Sequence, residues 1–470
     1  MCFTEMIKTP RLRSEHLLAI AFALGRTGFC AYRAAAQALV HDEAFFFGRF
    51  VDGAWSQLWS PYDAANHVLY TVLAKISIAL FGLSELTLRL PSVLAGLVLM
   101  LATFQILSTC RSRILRWTLY IGIGLHPLLL DFSIAARGYG LSLALLACAV
   151  YATLRGRPIL AGFLAGLAMS ANLIAIIPVA SLGAARFFLA EGAWRARGRE
   201  VWLLALPAIF TAAAICYLPL RTATPANFYI GFDSLRDSLF NLTLRSLRAA
   251  SQAGPLGSFE AARLVAFGLA PLALVFGFIS GFAGWRSEVR IRYRLVIPLT
   301  LAISVAILLA AHGLFGVKYP IDRTGLYLIY LAGISWAMVA DTGRRVVPTI
   351  GTLVALVLLV QFATQLQWHQ FEVWYYDADV KDVARRIQQE CRGKPDGSVS
   401  VSVSELHQPA LEFYRKYYRI ACAEAFIRRP ETELTGHDYY VYNRVDRRFA
   451  ETAGLRVLIS EPVSGITLAK

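Results

Sequence analysis

The sequence predicts an all-α polytopic membrane protein with a small α/β domain at its C-terminus, outside the bilayer. Three observations predict this. Of 470 residues, 57% are hydrophobic and only 16% are charged, whereas a soluble chain carries roughly a quarter charged residues. Mean hydropathy is +0.53. Apolar runs of membrane-spanning length recur along the chain and stop near residue 366, where the composition changes. The 46 Lys+Arg against 31 Asp+Glu leave a net charge of +15. In a membrane chain that excess marks cytoplasmic loops rather than a nucleic-acid footprint, so no nucleic acid is expected as a partner.

Runs at 16–38, 89–110, 114–131, 138–154, 201–220, 261–283, 295–313, 324–341 and 346–365 each have the roughly 17–25 residues of a spanning helix. The run 158–190 is too long for one span. Asn172 and Pro178 break it, which suits two short helices and brings the total to about eleven spans. The first run is weak, because Arg26 and Arg33 lie within it. A cleaved signal peptide fits it poorly, since no small-residue cleavage site follows a compact apolar core.

The segment 66–82 also has an apolar character, but His67, Thr71 and Lys75 fall on one helical stripe, so it reads as an interfacial helix. That choice puts the clusters Lys8/Arg11/Arg13, Arg111/Arg113/Arg116, Arg155/Arg157, Arg195/Arg197/Arg199, Arg286/Arg290/Arg292/Arg294 and Arg344/Arg345 on one side of the membrane. The loop 221–260 is the exception, with Arg221, Arg236, Arg245 and Arg248 on the outer side. The outer face then comprises the first loop 39–88, a turn at 131–137, the loops 221–260 and 314–323, and everything after about 366. Residues 1–365 are accordingly expected to form the transmembrane domain, with the first outer loop 39–88, and 366–470 an external domain. In the latter, WYYDADVKDVARRIQQE has a helical pattern, SVSVSV alternates as a strand, and DYYVYN and LRVLIS are two more strand candidates.

Seven cysteines contain no CxxC pair, so no zinc ribbon or redox motif is expected. Cys391 and Cys422 both fall in the external domain, where a disulfide would persist; the others read as small apolar residues in or near spans. Walker A, HExxH and GxSxG signatures are absent. The sequon Asn241-Leu242-Thr243 is expected to carry no modification.

Chemistry must therefore come from polar residues at the membrane face. After the first span comes His41-Asp42-Glu43, opening a helical segment with apolar residues at 46, 47, 50, 51 and 54. The acidic pair can complement the helix dipole, or one carboxylate, held beside low-dielectric lipid, can act as a general base. Asp131 ends the third run and has Arg137 and Tyr139 close behind it. An arginine in a short turn between spans is either a bidentate donor for phosphate or a snorkelling side chain. In FGVKYPIDRT, Lys318, Tyr319 and Arg323 put two cations and a phenol at the outer boundary. That suggests a bound anion, the alternative being an ion pair with Asp322 and aromatic anchoring.

The segments HDEAFFFGRF, ANHVLYTVLAKISIALFGLSELTLRLPS, DFSIAARGYGLSLAL, KYPIDRTGLYLIYL and WYYDADVKDV, in that order, resemble the GT-C superfamily of polyprenyl-phosphate-sugar-dependent glycosyltransferases. Within it the likeness is to protein O-mannosyltransferases and bacterial aminoarabinose transferases. The resemblance implies transfer of a sugar from a polyprenyl (undecaprenyl) phosphate to an acceptor lipid, glycan or protein by inverting displacement, at the periplasmic face of an inner membrane. It implies Asp42 as catalytic base with Glu43 beside it, and Asp131 as a second acidic residue. For the carrier phosphate it implies cations drawn from Lys75, Arg137, Lys318 and Arg323, with His67, Tyr139 and Tyr319 around them. At Asn66-His67 the chain departs from the aminoarabinose branch, which has a lysine before paired prolines there.

No cytosolic nucleotide sugar is needed. Asp42, Glu43 and Asp131 offer oxygen ligands of the kind a divalent cation takes, but a few carboxylates do not define a site, and no metal is expected. A transporter or flippase for lipid-linked sugars would need polar or broken helices at mid-membrane depth, whereas the ionisable residues here gather at one face. An O-antigen polymerase or ligase would place its important residues in a large late outer loop. The acidic signature in the first loop favours the transferase.

Overall fold

The structure, a computed structural model, describes residues 10–224, 227, 230–248, 257–269, 275, 289–341, 346–423, 425–429, 436–443 and 454–470. Most of the run 261–283 lies outside them, as do Lys8, Arg286, Arg344 and Arg345. By internal contacts the chain forms two compact units. One comprises 1–31, 59–70 and 91–366; the other joins 32–58 and 71–90 to 367–470.

The first unit is helical. Its helices are α1 (Pro10–Ala36), α3 (Val68–Phe81), α4 (Glu85–Leu107), α5 (Arg113–Leu125), α6 (Pro127–Asp131), α7 (Gly138–Leu154), α8 (Pro158–Ala171), α9 (Ile176–Leu189), α10 (Trp194–Leu220), α11 (Leu235–Leu247), α12 (Phe259–Leu264), α13 (Val289–Phe315), α14 (Leu326–Ala340) and α15 (Val346–Thr364), of which α1, α3 and α4 run across the division. Between α1 and α3 lies α2 (His41–Phe46) of the other unit.

The chain is a multi-pass membrane protein. Among the described residues five helical stretches are long and apolar enough to cross a membrane: Glu85–Leu107, Trp194–Leu220, Arg294–Phe315, Asp322–Ala340 and Val347–Thr364. Four shorter apolar helices accompany them, at Val68–Phe81, Gly138–Leu154, Pro158–Ala171 and Leu173–Leu189. The expected eleven therefore do not all appear as full-length spans. The run 158–190 divides as its breakers predict, at Asn172, whose side chain caps a short turn by accepting from Ile174 N at 3.1 Å. The run 114–131 is not one helix. It ends at Leu125 and restarts at Pro127, which has no N–H to leave unpaired at a helix start.

Small residues let these helices approach closely. A Cβ at Gly162 would stand 2.1 Å from the Leu204 carbonyl oxygen, and one at Gly166 would stand 2.6 Å from that of Ala208, so the four-residue glycine spacing of α8 seats it directly on α10. Arginines inside helices find partners on neighbouring elements. Arg26, which weakens the first run as a span, donates to Gly124 O at 2.7 Å and Ser133 Oγ at 2.8 Å. Arg116 pairs with Glu15 at 2.5 Å, and Arg294 with Asp341 at 2.5 Å. The outer loop 221–260 is not irregular throughout, since α11 begins there with Ser234 accepting from Asp237 N.

The second unit holds a five-stranded sheet in the order β2-β1-β3-β5-β4, from β1 (Val401–Ser404), β2 (Ile427–Arg429), β3 (Tyr439–Tyr442), β4 (Val457–Ser460) and β5 (Thr467–Ala469). The β2/β1/β3 pairings are parallel and those of β5 antiparallel. All four residues of β1 are buried. The alternation of SVSVSV thus does not mark a half-exposed strand; both faces of this interior strand are covered, as is usual where pairing is parallel. Helix α16 (Val380–Glu390) buries Val380, Val383, Ala384 and Ile387, the stripe its spacing predicts. Helix α17 (Gln408–Tyr417) follows β1. A disulfide joins Cys391 to Cys422, with Cα atoms 5.7 Å apart.

Candidate functional site

The predicted site residues divide between the two units. Asp42, Glu43 and Lys75 belong to the second; His67, Asp131, Arg137, Tyr139, Lys318, Tyr319 and Arg323 belong to the first.

In the second unit, α2 opens directly at His41 and continues as a π turn over Phe47–Val51. Asp42 is half-buried in its first turn, whereas Glu43 is 0% exposed. Both oxygens of Glu43 are held by Arg89, Oε1 at 2.9 Å and Oε2 at 2.5 Å, and Oε2 also accepts from Val40 N at 3.2 Å. Arg89 in turn donates to the carbonyls of Ala34, Gln37 and Ala38, which end α1. Glu43 therefore anchors the helix start, and its carboxylate is spoken for. Lys75 donates to the carbonyls of Val51 and Gly53 at 2.9 and 2.6 Å, and its ammonium lies 5.4 Å from the Trp55 ring centre. It closes the C-terminal end of the same helical segment, as a cation there should.

In the first unit, four predicted residues come together. The His67 ring meets Tyr139 edge-on with centres 5.0 Å apart. Burial, and then the charges of Arg137 and Arg323, hold the His67 imidazole well below the usual histidine range, against a hydrogen bond to the Ala171 backbone. A neutral imidazole thus sits beside two guanidinium groups. Arg137 occupies the N-cap position of α7 in extended conformation. Gly138 behind it is required by space, because a Cβ there would stand 1.9 Å from Ala171 O and 2.8 Å from the His67 Cβ. Tyr139, Ser142, Asn172, Arg323, Thr324 and Tyr327 line one crevice. Asp131 is buried at the end of α6.

Lys318 and Tyr319 have other attachments. Lys318 pairs with Asp233, and Tyr319 exchanges backbone hydrogen bonds with Phe232 while stacking on His312 at 4.5 Å. Asp322 pairs with Arg245 of α11 at 3.4 Å. Ion pairing in this loop thus uses partners about 80 residues back in sequence, which a reading confined to FGVKYPIDRT does not find.

Tyr62, Asn172 and Arg89 are not candidates from sequence. Burial, with the Tyr139 phenol and Asp63 contributing, pushes the Tyr62 hydroxyl up to about 12. A tyrosine in a loop rich in small and polar residues gives no local signal for that. Arg89 stands inside the LRLPS run, and a lone arginine amid apolar residues next to a span is the available signal.

Solved structures similar to this chain include two of one protein. One is ArnT from Cupriavidus metallidurans bound to undecaprenyl phosphate, 15% identical over 96% of this chain and 97% of that one, with a TM-score of 0.44. The other is ArnT from Cupriavidus metallidurans in the apo state, 14% identical over 97% of this chain and 98% of that one, with a TM-score of 0.44. No family model and no curated protein matches the chain.

Proposed function

We propose that this protein is an integral-membrane glycosyltransferase. It takes a sugar from a polyprenyl phosphate and passes it to an acceptor by inverting displacement, at the periplasmic face of an inner membrane. The observation that carries this reading is the grouping of Arg137 and Arg323 about an uncharged His67, with Tyr139 in ring contact.

A phosphate leaving group gains negative charge as the glycosidic bond breaks, so cations fixed in advance lower the barrier. Guanidinium groups suit this because they meet phosphate oxygens with paired N–H donors and never lose their charge. The neutral imidazole adds a polar partner without a carboxylate's repulsion. Arg137 also stands at the start of the 17-residue α7, whose dipole favours an anion at that end.

The acceptor hydroxyl must lose its proton as it attacks, and a carboxylate serves. Asp42 takes that role. Glu43 is assigned to architecture through Arg89, and Asp131 assists as the second acidic residue. Lys75, engaged with the carbonyls of Val51 and Gly53, shapes the base-bearing segment. The order of the sequence segments that resemble the GT-C enzymes supports the same assignment.

Retention of undecaprenyl phosphate by the purified protein tests the carrier site, by native mass spectrometry. Arg137→Ala and Arg323→Ala should each weaken retention by about 10–100-fold, the cost of a charged hydrogen bond to phosphate. Unchanged retention in both variants would contradict the assignment.

A further inference from the structure

We infer that Asp377, oriented by His407, is a positioning residue that fixes the first turn of the helix bearing Asp42. The inference rests on the assignment of Asp42 as acceptor base.

The first N–H groups of a helix have no partner within it and must find one elsewhere. In α2 the N–H of His41 donates to Asp377 Oδ2 at 2.6 Å. Two residues on, Glu43 has both oxygens held by Arg89 and takes the N–H of Val40. Asp42 lies between these two fixed positions, so its backbone is pinned on either side by buried carboxylates.

Asp377 is itself held. It closes a short turn over Tyr375–Asp377, and its Oδ1 accepts from His407 Nδ1 at 2.9 Å, with both side chains fully buried. Because Oδ2 already accepts an N–H, the Asp377 carboxylate requires His407 to carry its proton on Nδ1. His407 is the N-cap residue of α17, and its Nε2 has no hydrogen-bond partner among the described residues. The preceding residue completes the clamp: the Leu406 carbonyl accepts from His41 Nδ1 at 2.7 Å. Backbone and ring of His41 are thus tied to two separate points of the C-terminal sequence, Asp377 and Leu406. Further along, Leu39 N donates to Tyr414 at 2.9 Å, Phe47 meets Phe413 edge-on at 5.1 Å, and Asp52 pairs with Lys416 at 2.6 Å. These contacts seat α17 on the segment, and it is Asp377 that takes the His41 N–H, next to the base.

A fully buried carboxylate is costly to keep as a packing device, since it resists desolvation; burial indeed pushes the Asp377 carboxyl up, against the His407 hydrogen bond. Its return is geometric: a displaced base loses rate without losing substrate affinity.

The test uses the full-length protein in detergent or nanodiscs, with polyprenyl-phosphate sugar as donor, and reads kcat, donor KM and hydrogen exchange at the amides of 41–44. Asp377→Ala should lower kcat by about 30-fold and leave donor KM within about threefold, as expected for a misplaced base. Exchange at 41–44 should quicken by at least about tenfold while the Cys391–Cys422 bridge persists. Asp377→Asn should stay within about threefold of wild type in kcat, because its Oδ1 still accepts from His41 N and its amide can donate to the other His407 tautomer. Should Asp377→Ala not fold, His407→Ala, which keeps the His41 contact but frees Asp377 to turn, should lower kcat by about tenfold. Wild-type kcat in Asp377→Ala, or in His407→Ala where that variant stands in, overturns the inference, as does unaltered exchange at 41–44. If wild type transfers no sugar from any donor, the functional reading fails and the exchange measurement decides the positioning claim by itself.

Discussion

Arg89 holds both carboxylate oxygens of Glu43, at 2.9 and 2.5 Å, with neither side chain exposed to solvent. The pair joins the start of α4 to the start of α2, and three further bonds from Arg89 close the carbonyl end of α1. Removing one member leaves a buried charge alone. Arg89→Ala should therefore destabilise the protein by about 3–5 kcal/mol, and Arg89→Met combined with Glu43→Leu should recover only part of that loss, because the bonds to the Ala34, Gln37 and Ala38 carbonyls and the Val40 N–H stay broken. Thermal unfolding in detergent reads both. A Glu43→Gln protein of wild-type stability and no activity would instead assign Glu43 to the chemistry.

Replacing a guanidinium by an ammonium keeps the charge and loses the paired donors. Arg137→Lys and Arg323→Lys should each weaken carrier retention by about tenfold, less than the alanine variants. Equal retention by lysine and arginine would show that charge alone is read.

His67 is buried and uncharged in the folded protein, held well below the usual range by burial and by Arg137 and Arg323. In the unfolded chain it titrates near 6.5. Below that pH the unfolded state binds a proton that the folded state refuses, so stability falls as pH falls through about 6.5 and towards the folded-state value, by up to about 1.4 kcal/mol per pH unit. His67→Gln cannot be protonated and should flatten this part of the acid profile. A parallel decline in both proteins between about pH 6.5 and pH 5 would place the acid sensitivity elsewhere.

The Cys391–Cys422 bridge closes a segment with a sequence separation of 31. Loop-closure entropy for that length makes the Cys391→Ser, Cys422→Ser protein less stable by about 3–4 kcal/mol in the C-terminal part. Limited proteolysis after reduction would show it as earlier cleavage between 391 and 422. Identical cleavage with and without reductant would contradict it.

Elements set by local pattern are legible in the sequence. Helix α7 spans Gly138–Leu154 as its apolar run predicts, and the break at Asn172 falls where a polar residue interrupts 158–190. Strand β1 begins in SVSVSV and ends one residue beyond it, and β3 and β4 lie in DYYVYN and LRVLIS. The 3-residue strands β2 and β5 are not legible, because they are too short to show a period and exist through pairing with distant neighbours. The helix break at His126 and the helix α11 in an outer loop escape the pattern for a related reason: Pro127 and the Ser234 cap act over a few residues inside segments that read as uniform. At the site, residue types are legible and their partners are not. Glu43 with Arg89, Lys318 with Asp233 and Asp377 with His41 are separated by 46, 85 and 336 residues, and no periodicity carries information over such distances.

The central claim is sugar transfer with Asp42 as base, and the direct measurement is transfer of labelled sugar from polyprenyl-phosphate donors to membrane acceptors by wild type and Asp42→Asn at matched expression. The account predicts that Asp42→Asn loses at least about 100-fold in transfer, as for removal of a general base, while retaining undecaprenyl phosphate as wild type does. Equal transfer by the two proteins would contradict it.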